Sequence, residues 1–381
     1  MNIKSLLLGS AAALVAVSGA RAADAVTVAE PEPAEYVKIC DVYGAGYFYI
    51  PGTETCLRVG GYLRYDASAG EAGSFTGRGT ADVMNGDSQR SWHKNARFAL
   101  KTWTGQETEL GTLKTYTETR FDFNDGATDV NSHFAWVQLG GLRIGADESA
   151  FDTFQGYAGS VINDTIVPYG GFDTNLISYT FDAGNGFSAI ISFEEGNAYG
   201  GYHYADRATS HTVDGGRYDA GSELIDSYVP HIVGGVKWTQ GWGGISGVVA
   251  YNSNWEEWAG KVRLDVNVND AFSLFVIGGY GTDDNAPRNF YKPWGGNWAV
   301  WGGGTYKFNE KTSFNLQVSY DQKKEFGLAA NVAYTIVPGF SVITELDWAH
   351  NDHDKNGYNW TEIPDGKKNA LGGFVRFQRD F

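Results

Sequence analysis

Charged residues of opposite sign are segregated along the chain. No lysine or arginine lies between Arg143 and Arg207, and the acids there are Asp147, Glu148, Asp152, Asp164, Asp173, Asp182, Glu194, Glu195 and Asp206. Before this stretch come the cations Arg58, Arg64, Arg97, Lys101, Lys114, Arg120 and Arg143. If the two groups face each other across a narrow space, they produce a transverse field that can separate ions and orient dipolar molecules.

The seven cations lie on segments whose side chains alternate between apolar and polar with a period of two, whereas residues 146–175, which hold the first acids, are too irregular for a strand. In residues 57–66, Leu57, Val59 and Leu63 share one face, and Arg58 and Arg64 share the other. Because successive side chains of a strand point to opposite faces, the pattern predicts β-strands. We expect sixteen strands, at residues 57–66, 96–103, 113–121, 135–139, 142–145, 177–181, 187–193, 232–238, 245–251, 262–268, 272–280, 298–308, 314–320, 328–334, 340–348 and 370–381.

Two further features favour a membrane barrel, although the last strand alone would also suit a soluble sandwich. Short turns near residues 140, 185, 241, 269, 309 and 338 alternate with long polar loops such as residues 196–230, 281–297 and 349–369. Aromatic rings suited to membrane interfaces end the apolar faces: Tyr65, Trp238, Tyr251, Tyr280, Tyr320, Tyr334 and Trp348. The polar faces then line a wet lumen. The predicted fold class is therefore all-β, a 16-stranded antiparallel transmembrane β-barrel.

The N-terminus carries the features of an export signal. Lys4 precedes an apolar run at residues 6–17, and Ala20 and Ala22 are the small residues that a signal peptidase reads. We expect residues 1–22 to be removed, so that the net charge changes from −16 to −18 through the loss of Lys4 and Arg21. Residues 23–56 would form a lead-in and a disulfide loop, and residues 57–381 the barrel.

Cys40 and Cys56 are the two cysteines of the chain. An exported chain meets an oxidising compartment, so an even pair predicts one disulfide. It would close a loop of about 15 residues, which is worth roughly 3 kcal/mol in the loop-entropy model. Two buried free thiols are the alternative. A metal site is disfavoured because no histidine or further cysteine lies near either one.

The composition and motifs exclude several other functions. The acidic balance argues against nucleic acid as a partner, since nucleic acid needs a basic face. None of the seven histidines lies in a nucleophile motif, and no G-x-S-x-G sequence occurs. His350 and His353, with the intervening Asp352, could bind a metal or lie in an exposed loop. We therefore predict no enzymatic activity, no cofactor and no metal site.

The segment from Cys40 to Arg58 resembles the N-terminal signature of the general porins of alphaproteobacterial outer membranes. Residues 187–191, 242–251, 256–263, 294–303 and 372–381 are also similar to that family, with Arg379 as a departure from its usual apolar residue. The resemblance implies a 16-stranded barrel in outer-membrane lipid. It also implies a homotrimer and passive diffusion of small hydrophilic solutes and ions.

The resemblance further implies a loop that folds into the lumen after the fifth strand, at residues 146–175. We expect its acids, Asp147, Glu148, Asp152, Asp164 and Asp173, to face the seven cations listed above across a constriction. Asp182, Glu194, Glu195 and Asp206 are expected to lie outside it. The net negative charge predicts weak cation preference. A sugar-selective channel, with aromatics such as Trp136 guiding the sugar, and a structural or adhesive barrel with a plugged lumen are the alternatives.

Overall fold

The structure is a computed structural model that describes residues 38–73, 77–197, 213–214, 217–218, 224–283, 289–351 and 367–381. The predicted export signal, Asp206 and His353 lie outside the described residues. Within those ranges, no helix is both long and apolar enough to cross a membrane.

The main structure is one closed antiparallel sheet. Its strands are β1 Cys56–Gly70, β2 His93–Thr108, β3 Gly111–Asn124, β4 Ala127–Leu139, β5 Leu142–Glu148, β6 Asp173–Asp182, β7 Phe187–Glu194, β8 His231–Gln240, β9 Gly243–Asn252, β10 Glu257–Asn269, β11 Phe272–Gly281, β12 Trp298–Asn309, β13 Thr312–Asp321, β14 Phe326–Val337, β15 Phe340–His350 and β16 Asn369–Asp380. Each strand pairs with its neighbours in the sequence, and β1 also pairs with β16, from Tyr62 opposite Asp380 to Gly70 opposite Gly372. The prediction of a 16-stranded antiparallel barrel is confirmed.

A few short elements accompany the barrel. Phe48–Tyr49 extends the sheet beside the start of β1, and Arg78–Ala81 pairs with Ser88–Ser91 in the connection from β1 to β2. Val213–Asp214 pairs with Arg217–Tyr218 between β7 and β8. In the part of the chain that the structure describes, the helical elements are a 3-10 turn at Asp41–Tyr43 and the one-turn helix α1 at Ala150–Thr153.

The alternation read from the sequence separates the two faces of the wall. On β1, Val59 and Leu63 are exposed on the outside, whereas Asp66 and Ser68 are buried on the inside. The outer surface of the other strands is similarly apolar, as expected for a wall that faces lipid. At one end of the barrel the strands are joined by short turns, and this end is called the short-turn end below. The opposite end is called the loop end.

Several connections at the loop end are unexpectedly short: residues 253–256 and 322–325 join their strands with four residues each, and the shortest connection has two. Residues Asp125 and Gly126 alone join β3 to β4, and both have positive φ, 48° and 94°. Positive φ at both central positions matches a tight hairpin turn. Short turns therefore occur at both ends of this barrel, and the alternation of short and long connections is less regular than the sequence suggested.

The disulfide loop lies at the short-turn end, against β2. The Cys40–Cys56 disulfide is present, as predicted. The Tyr43 hydroxyl donates to Glu107 on β2 at 3.0 Å. The Tyr43 ring also lies so close to Gly105 that a Cβ there would be 2.6 Å from it. The backbone of Gly105 therefore provides the space that the disulfide loop occupies.

Part of the interior is a packed hydrophobic core. Its largest buried members come from the connection between β5 and β6, from residues 289–297 and from β11 and β12: Phe151, Tyr169, Phe275, Phe290, Tyr291, Trp294 and Trp301. Aromatic rings contact each other edge to face, with Trp294 and Trp301 centroids 5.4 Å apart. The inward faces do not all border open lumen, which differs from the expectation of a uniformly wet interior.

Candidate functional site

The connection between β5 and β6, residues 149–172, is called the inner loop. It is shorter than the expected 146–175 because β5 extends to Glu148 and β6 begins at Asp173. The Ser149 hydroxyl caps α1 by accepting from the Phe151 amide at 3.1 Å. That hydroxyl also donates to the Glu194 carboxylate at 2.6 Å, and Glu194 accepts from the Ala150 amide at 2.9 Å. Glu194 of β7 thus fixes the start of the inner loop.

A buried ion pair holds the next part of the inner loop against β10. Lys261 Nζ donates to Asp152 Oδ1 at 2.8 Å, and the side chains are 2% and 0% exposed. Lys261 also donates to the Tyr169 carbonyl at 2.8 Å, so it joins both limbs of the loop. Burial raises the pKa of Asp152, and the neighbouring Lys261 opposes that rise. Asp152 is a structural anchor in this geometry and is removed from the aqueous space.

Further strands bind the middle and tip of the inner loop through its backbone. Arg263 of β10 donates to the Tyr157 carbonyl at 2.6 Å, and Trp301 of β12 donates to the Val167 carbonyl at 2.6 Å. Further contacts come from β13, β14 and β15: Gln317 to the Ala158 and Asp164 carbonyls, Asn331 to the Ser160 carbonyl, and Glu345 from the Ile162 and Asn163 amides. The inner loop therefore lies along the wall from β7 to β15.

Asp164 lies near the tip of the inner loop and is coupled to Tyr169. The Tyr169 hydroxyl donates to Asp164 Oδ2 at 2.5 Å. Burial, together with the nearby Glu345 carboxylate, raises the pKa of Asp164 to about 7, although the Tyr169 hydrogen bond opposes the rise. At neutral pH this group is thus only partly ionised, which reduces the negative charge that the loop presents.

The predicted basic residues lie on β1 to β5, outside the span from β7 to β15 that binds the inner loop, and they are not a purely positive wall. Most of them are paired with carboxylates on the same strands or the adjacent ones: Arg64 with Asp66 at 3.0 Å, Arg97 with Asp122 at 2.7 Å, Lys101 and Arg120 with Glu118 at 3.2 and 2.7 Å, and Arg143 with Asp147. Arg376 of β16 adds a second contact to Asp66, at 2.8 Å. This surface, which we call the charged wall, carries alternating charges of both signs.

The other predicted site residues lie in three places. Arg58 stacks on Trp103 at 4.7 Å, and Lys114 is exposed; both lie at the short-turn end. The prediction placed all five acids on the inner loop. Asp147 and Glu148 instead end β5, and Asp173 begins β6. Asp152 and Asp164 lie on the inner loop.

Sequence reasoning missed the carboxylates of the charged wall and the anchors of the inner loop. Asp66, Glu118 and Asp122 share the inward parity of the arginines beside them, for example Glu118 two residues before Arg120. A spacing of two residues along a strand could have indicated that these acids lie beside the arginines on the inward face. Lys261 and Glu345 gave no such signal, because their partners lie 109 and about 180 residues away in the chain. Glu194 was expected outside the constriction, and it binds the base of the inner loop.

A closed barrel with an apolar exterior, charged inward faces and a long loop along its inner wall defines an outer-membrane channel protein. A model of the porin subfamily matches residues 24–374. Porin Omp2b of Brucella canis and porin Omp2b of Brucella abortus are each 50% identical to the chain over 393 aligned residues, covering 100% of both sequences. The chain belongs to the porin family and is an outer-membrane β-barrel protein.

Solved structures share the fold at low sequence identity. The outer-membrane channel DcaP of Acinetobacter baumannii superposes with a TM-score of 0.62 at 16% identity, covering 87% of this chain and 99% of that one. An anion-selective porin from Comamonas acidovorans gives a TM-score of 0.52 at 17% identity, covering 86% and 100%. These two similarities concern the fold alone.

Proposed function

We propose that the protein is a passive channel for small hydrophilic solutes and ions and has no enzymatic activity. One observation carries the proposal: the inner loop is bound along β7 to β15, and the charged wall of β16 and β1 to β5 faces it. The aqueous path then runs between the loop and the charged wall, and it is narrowest where they approach each other. The residues first expected at this constriction remain candidates, with Asp147, Glu148 and Asp173 favoured over the buried Asp152.

We also propose that the channel has a weak preference for cations. The charged wall pairs six cations with four carboxylates, for example Arg97 with Asp122, so most of its positive charge is offset and it does not favour anions strongly. The Glu148 carboxylate lies beside the path and accepts a hydrogen bond from the Tyr157 hydroxyl. The chain as a whole is negative, at −16. Since paired charges cancel at short range, the remaining carboxylates decide the sign of the preference.

Liposomes and planar bilayers test the channel and its selectivity. Liposomes with the protein should swell in small sugars and swell more slowly as the sugar becomes larger; liposomes impermeable to every solute would contradict the channel. In a KCl gradient, Glu118→Gln should shift the reversal potential toward anions, because Lys101 and Arg120 lose their shared carboxylate. Glu310→Gln, in an exposed turn, is the control. Equal reversal potentials for Glu118→Gln and the wild type would contradict the role of the wall.

A sugar-selective channel is the second candidate, and one observation favours it. Trp103, Tyr116 and Trp136 form a row on the inward face, with successive ring centroids 5.4 and 5.6 Å apart. Rings of this kind can bind sugar faces. However, the Arg58 and Arg143 guanidinium groups already cover Trp103 and Trp136. Their Cζ atoms lie 4.7 and 4.1 Å from the respective ring centroids. Saturable inhibition of ion current by a sugar, lost in Trp136→Ala, would support this candidate over general diffusion.

Export and assembly complete the proposal. Cleavage after Ala22 would leave residues 23–56 as the lead-in and disulfide loop and residues 57–381 as the barrel, and N-terminal sequencing of the mature protein should begin at Ala23. A homotrimer in outer-membrane lipid follows from the family resemblance. Light scattering of the detergent-solubilised protein should give three chains per particle; a mass of one chain would contradict the trimer.

A further inference from the structure

Three potential metal ligands from three different strands converge on the charged wall where the inner loop leaves β5 and joins β6. They are His133 of β4, Glu148 of β5 and Asp173 of β6, each half-buried. One ligand atom of each lies within 4.8 Å of the ligand atoms of the other two. We propose that these residues bind a divalent transition-metal ion of the zinc class, which departs from the prediction from sequence that the chain has no metal site.

A β-bulge makes this convergence possible. In the pairing of β3 with β4, Glu118 is opposite Phe134 and Thr119 is opposite Ser132, so His133 is an extra residue without a partner in the ladder. Strict alternation would direct His133 to the side opposite Phe134. Instead the two rings lie 3.9 Å apart between centroids. Bulges redirect side chains in this way, and they are frequent next to functional sites.

The spacing and the chemistry fit zinc better than a harder cation. His133 Nδ1 lies 3.4 Å from Asp173 Oδ2, and two ligand atoms on a tetrahedral zinc are separated by roughly 3.4 Å. Imidazole with carboxylates suits zinc-class ions, whereas calcium and magnesium prefer oxygen ligands throughout. The Glu148 ligand atom lies within 4.8 Å of the other two, so it must approach by up to about 1.4 Å to bind the same ion. Tyr157 of the inner loop donates to its carboxylate and would orient it as an outer hydrogen-bond partner.

Nearby positive charges do not rule the site out. Arg120 lies in the vicinity, but its guanidinium is bound to Glu118 at 2.7 Å. Arg143 is bound to Asp147. Both arginines therefore have their own carboxylates, and the two acids of the cluster supply the charge that a divalent ion requires.

Zinc titration of the purified, folded protein by isothermal calorimetry tests the proposal without reference to transport. At pH 7.5, where imidazole is mostly neutral, the wild type should bind one zinc ion per chain, and His133→Ala should weaken binding at least about tenfold. Glu148→Gln and Asp173→Asn should each weaken it as well, and they keep the side-chain shape in case His133→Ala does not fold. The matched control is His93→Ala, because His93 Nδ1 also lies 3.4 Å from a carboxylate, that of Asp125, without a third ligand in the cluster.

Binding that is lost in His133→Ala and retained in His93→Ala supports the site. An excess of magnesium should leave it unchanged. The absence of zinc binding by the wild type would overturn the proposal, and so would an equal loss in the two histidine variants. Because the readout is heat of binding, a failure here is distinct from a failure of the channel proposal, which liposome swelling decides.

Discussion

At the scale of single residues, burial decides which acids of the inner loop carry an accessible charge. Asp152 was expected to face the basic residues, and it is instead enclosed with Lys261 between the inner loop and β10. Asp164 keeps its proton at higher pH than usual, since burial raises its pKa to about 7. The same acidic sequence therefore contains anchors and partly neutral groups as well as exposed charge.

Removing one partner of the buried Lys261–Asp152 pair should lower the free energy of unfolding more than removing both charges. Lys261→Met leaves Asp152 as an unpaired buried charge, which costs about 3–5 kcal/mol. The double variant Lys261→Met, Asp152→Asn should recover much of that loss. Thermal unfolding followed by circular dichroism measures both, with exposed Lys311→Met as the control. A double variant less stable than Lys261→Met would show that the charges act independently.

The inner loop should be held less firmly as the pH rises through about 7. The folded-state pKa of Asp164 is raised to about 7 from the ordinary 3.8, so the folded protein retains a proton that the unfolded chain releases. The resulting stabilisation is fully present below about pH 4 and is lost as the pH rises through 7. Asp164→Asn should remove this dependence. Thermal midpoints between pH 5 and pH 9 provide the measurement, and an unchanged slope in Asp164→Asn would exclude this carboxyl as its source.

At the scale of elements, close approaches fix where the loops lie. The disulfide loop reaches β2 because Gly105 has no side chain beneath the Tyr43 ring. The inner loop is bound by side chains from at least six strands, which makes it a fixed part of the interior. Both segments take their position from the barrel wall, so wall substitutions should move them.

A methyl group at Gly105 should displace the disulfide loop. In Gly105→Ala the new Cβ would lie 2.6 Å from the Tyr43 ring, closer than real contacts allow. The displaced loop should expose the Cys40–Cys56 bond and accelerate its reduction by dithiothreitol severalfold. Gly278→Ala on β11 is the control, because a Cβ there meets nothing within 4 Å. Equal reduction rates for the two variants would mean that Tyr43 moves aside without effect.

At the scale of the whole molecule, the barrel has a packed side and a charged side. The hydrophobic core lies between the inner loop and the strands around β8 to β12, and the charged wall lies across from it. If the proposed channel prefers ions of one sign, that preference rests on charges of one side, most of them in pairs. It should then be modest and sensitive to screening.

The ion preference should fade as salt increases. The screening length is about 10 Å at 0.1 M salt and about 3 Å at 1 M. Charges on the wall act on ions across the path only at the lower concentration. Reversal potentials measured at a fixed KCl ratio, at low and at high mean concentration, should converge toward no preference. A preference that is independent of concentration would point to direct ion coordination instead.

Much of the fold could be predicted from the sequence because alternation is local. A side-chain period of two was enough to predict the outward row that contains Val59 and Leu63. The same period predicted the sixteen strands that repeat this pattern. The side of the wall on which the inner loop lies could not be predicted, since it depends on pairs such as Asp152 with Lys261 that are distant in the chain. His133 could not be assigned either, because the bulge breaks the alternation from which its direction would be read.

The pairing of β1 with β16 has a consequence for how the barrel assembles. Tyr62 is opposite Asp380, so this ladder joins the residues farthest apart in the strand order. Closing so long a stretch of chain has the largest entropic cost of any pairing here, whereas each other ladder joins strands consecutive in the sequence. Until β1 pairs with β16, both strands are free edges open to pairing with other chains. Strand pairing should therefore proceed hairpin by hairpin. The amides of the β1–β16 ladder should be the last to gain protection in pulsed hydrogen exchange.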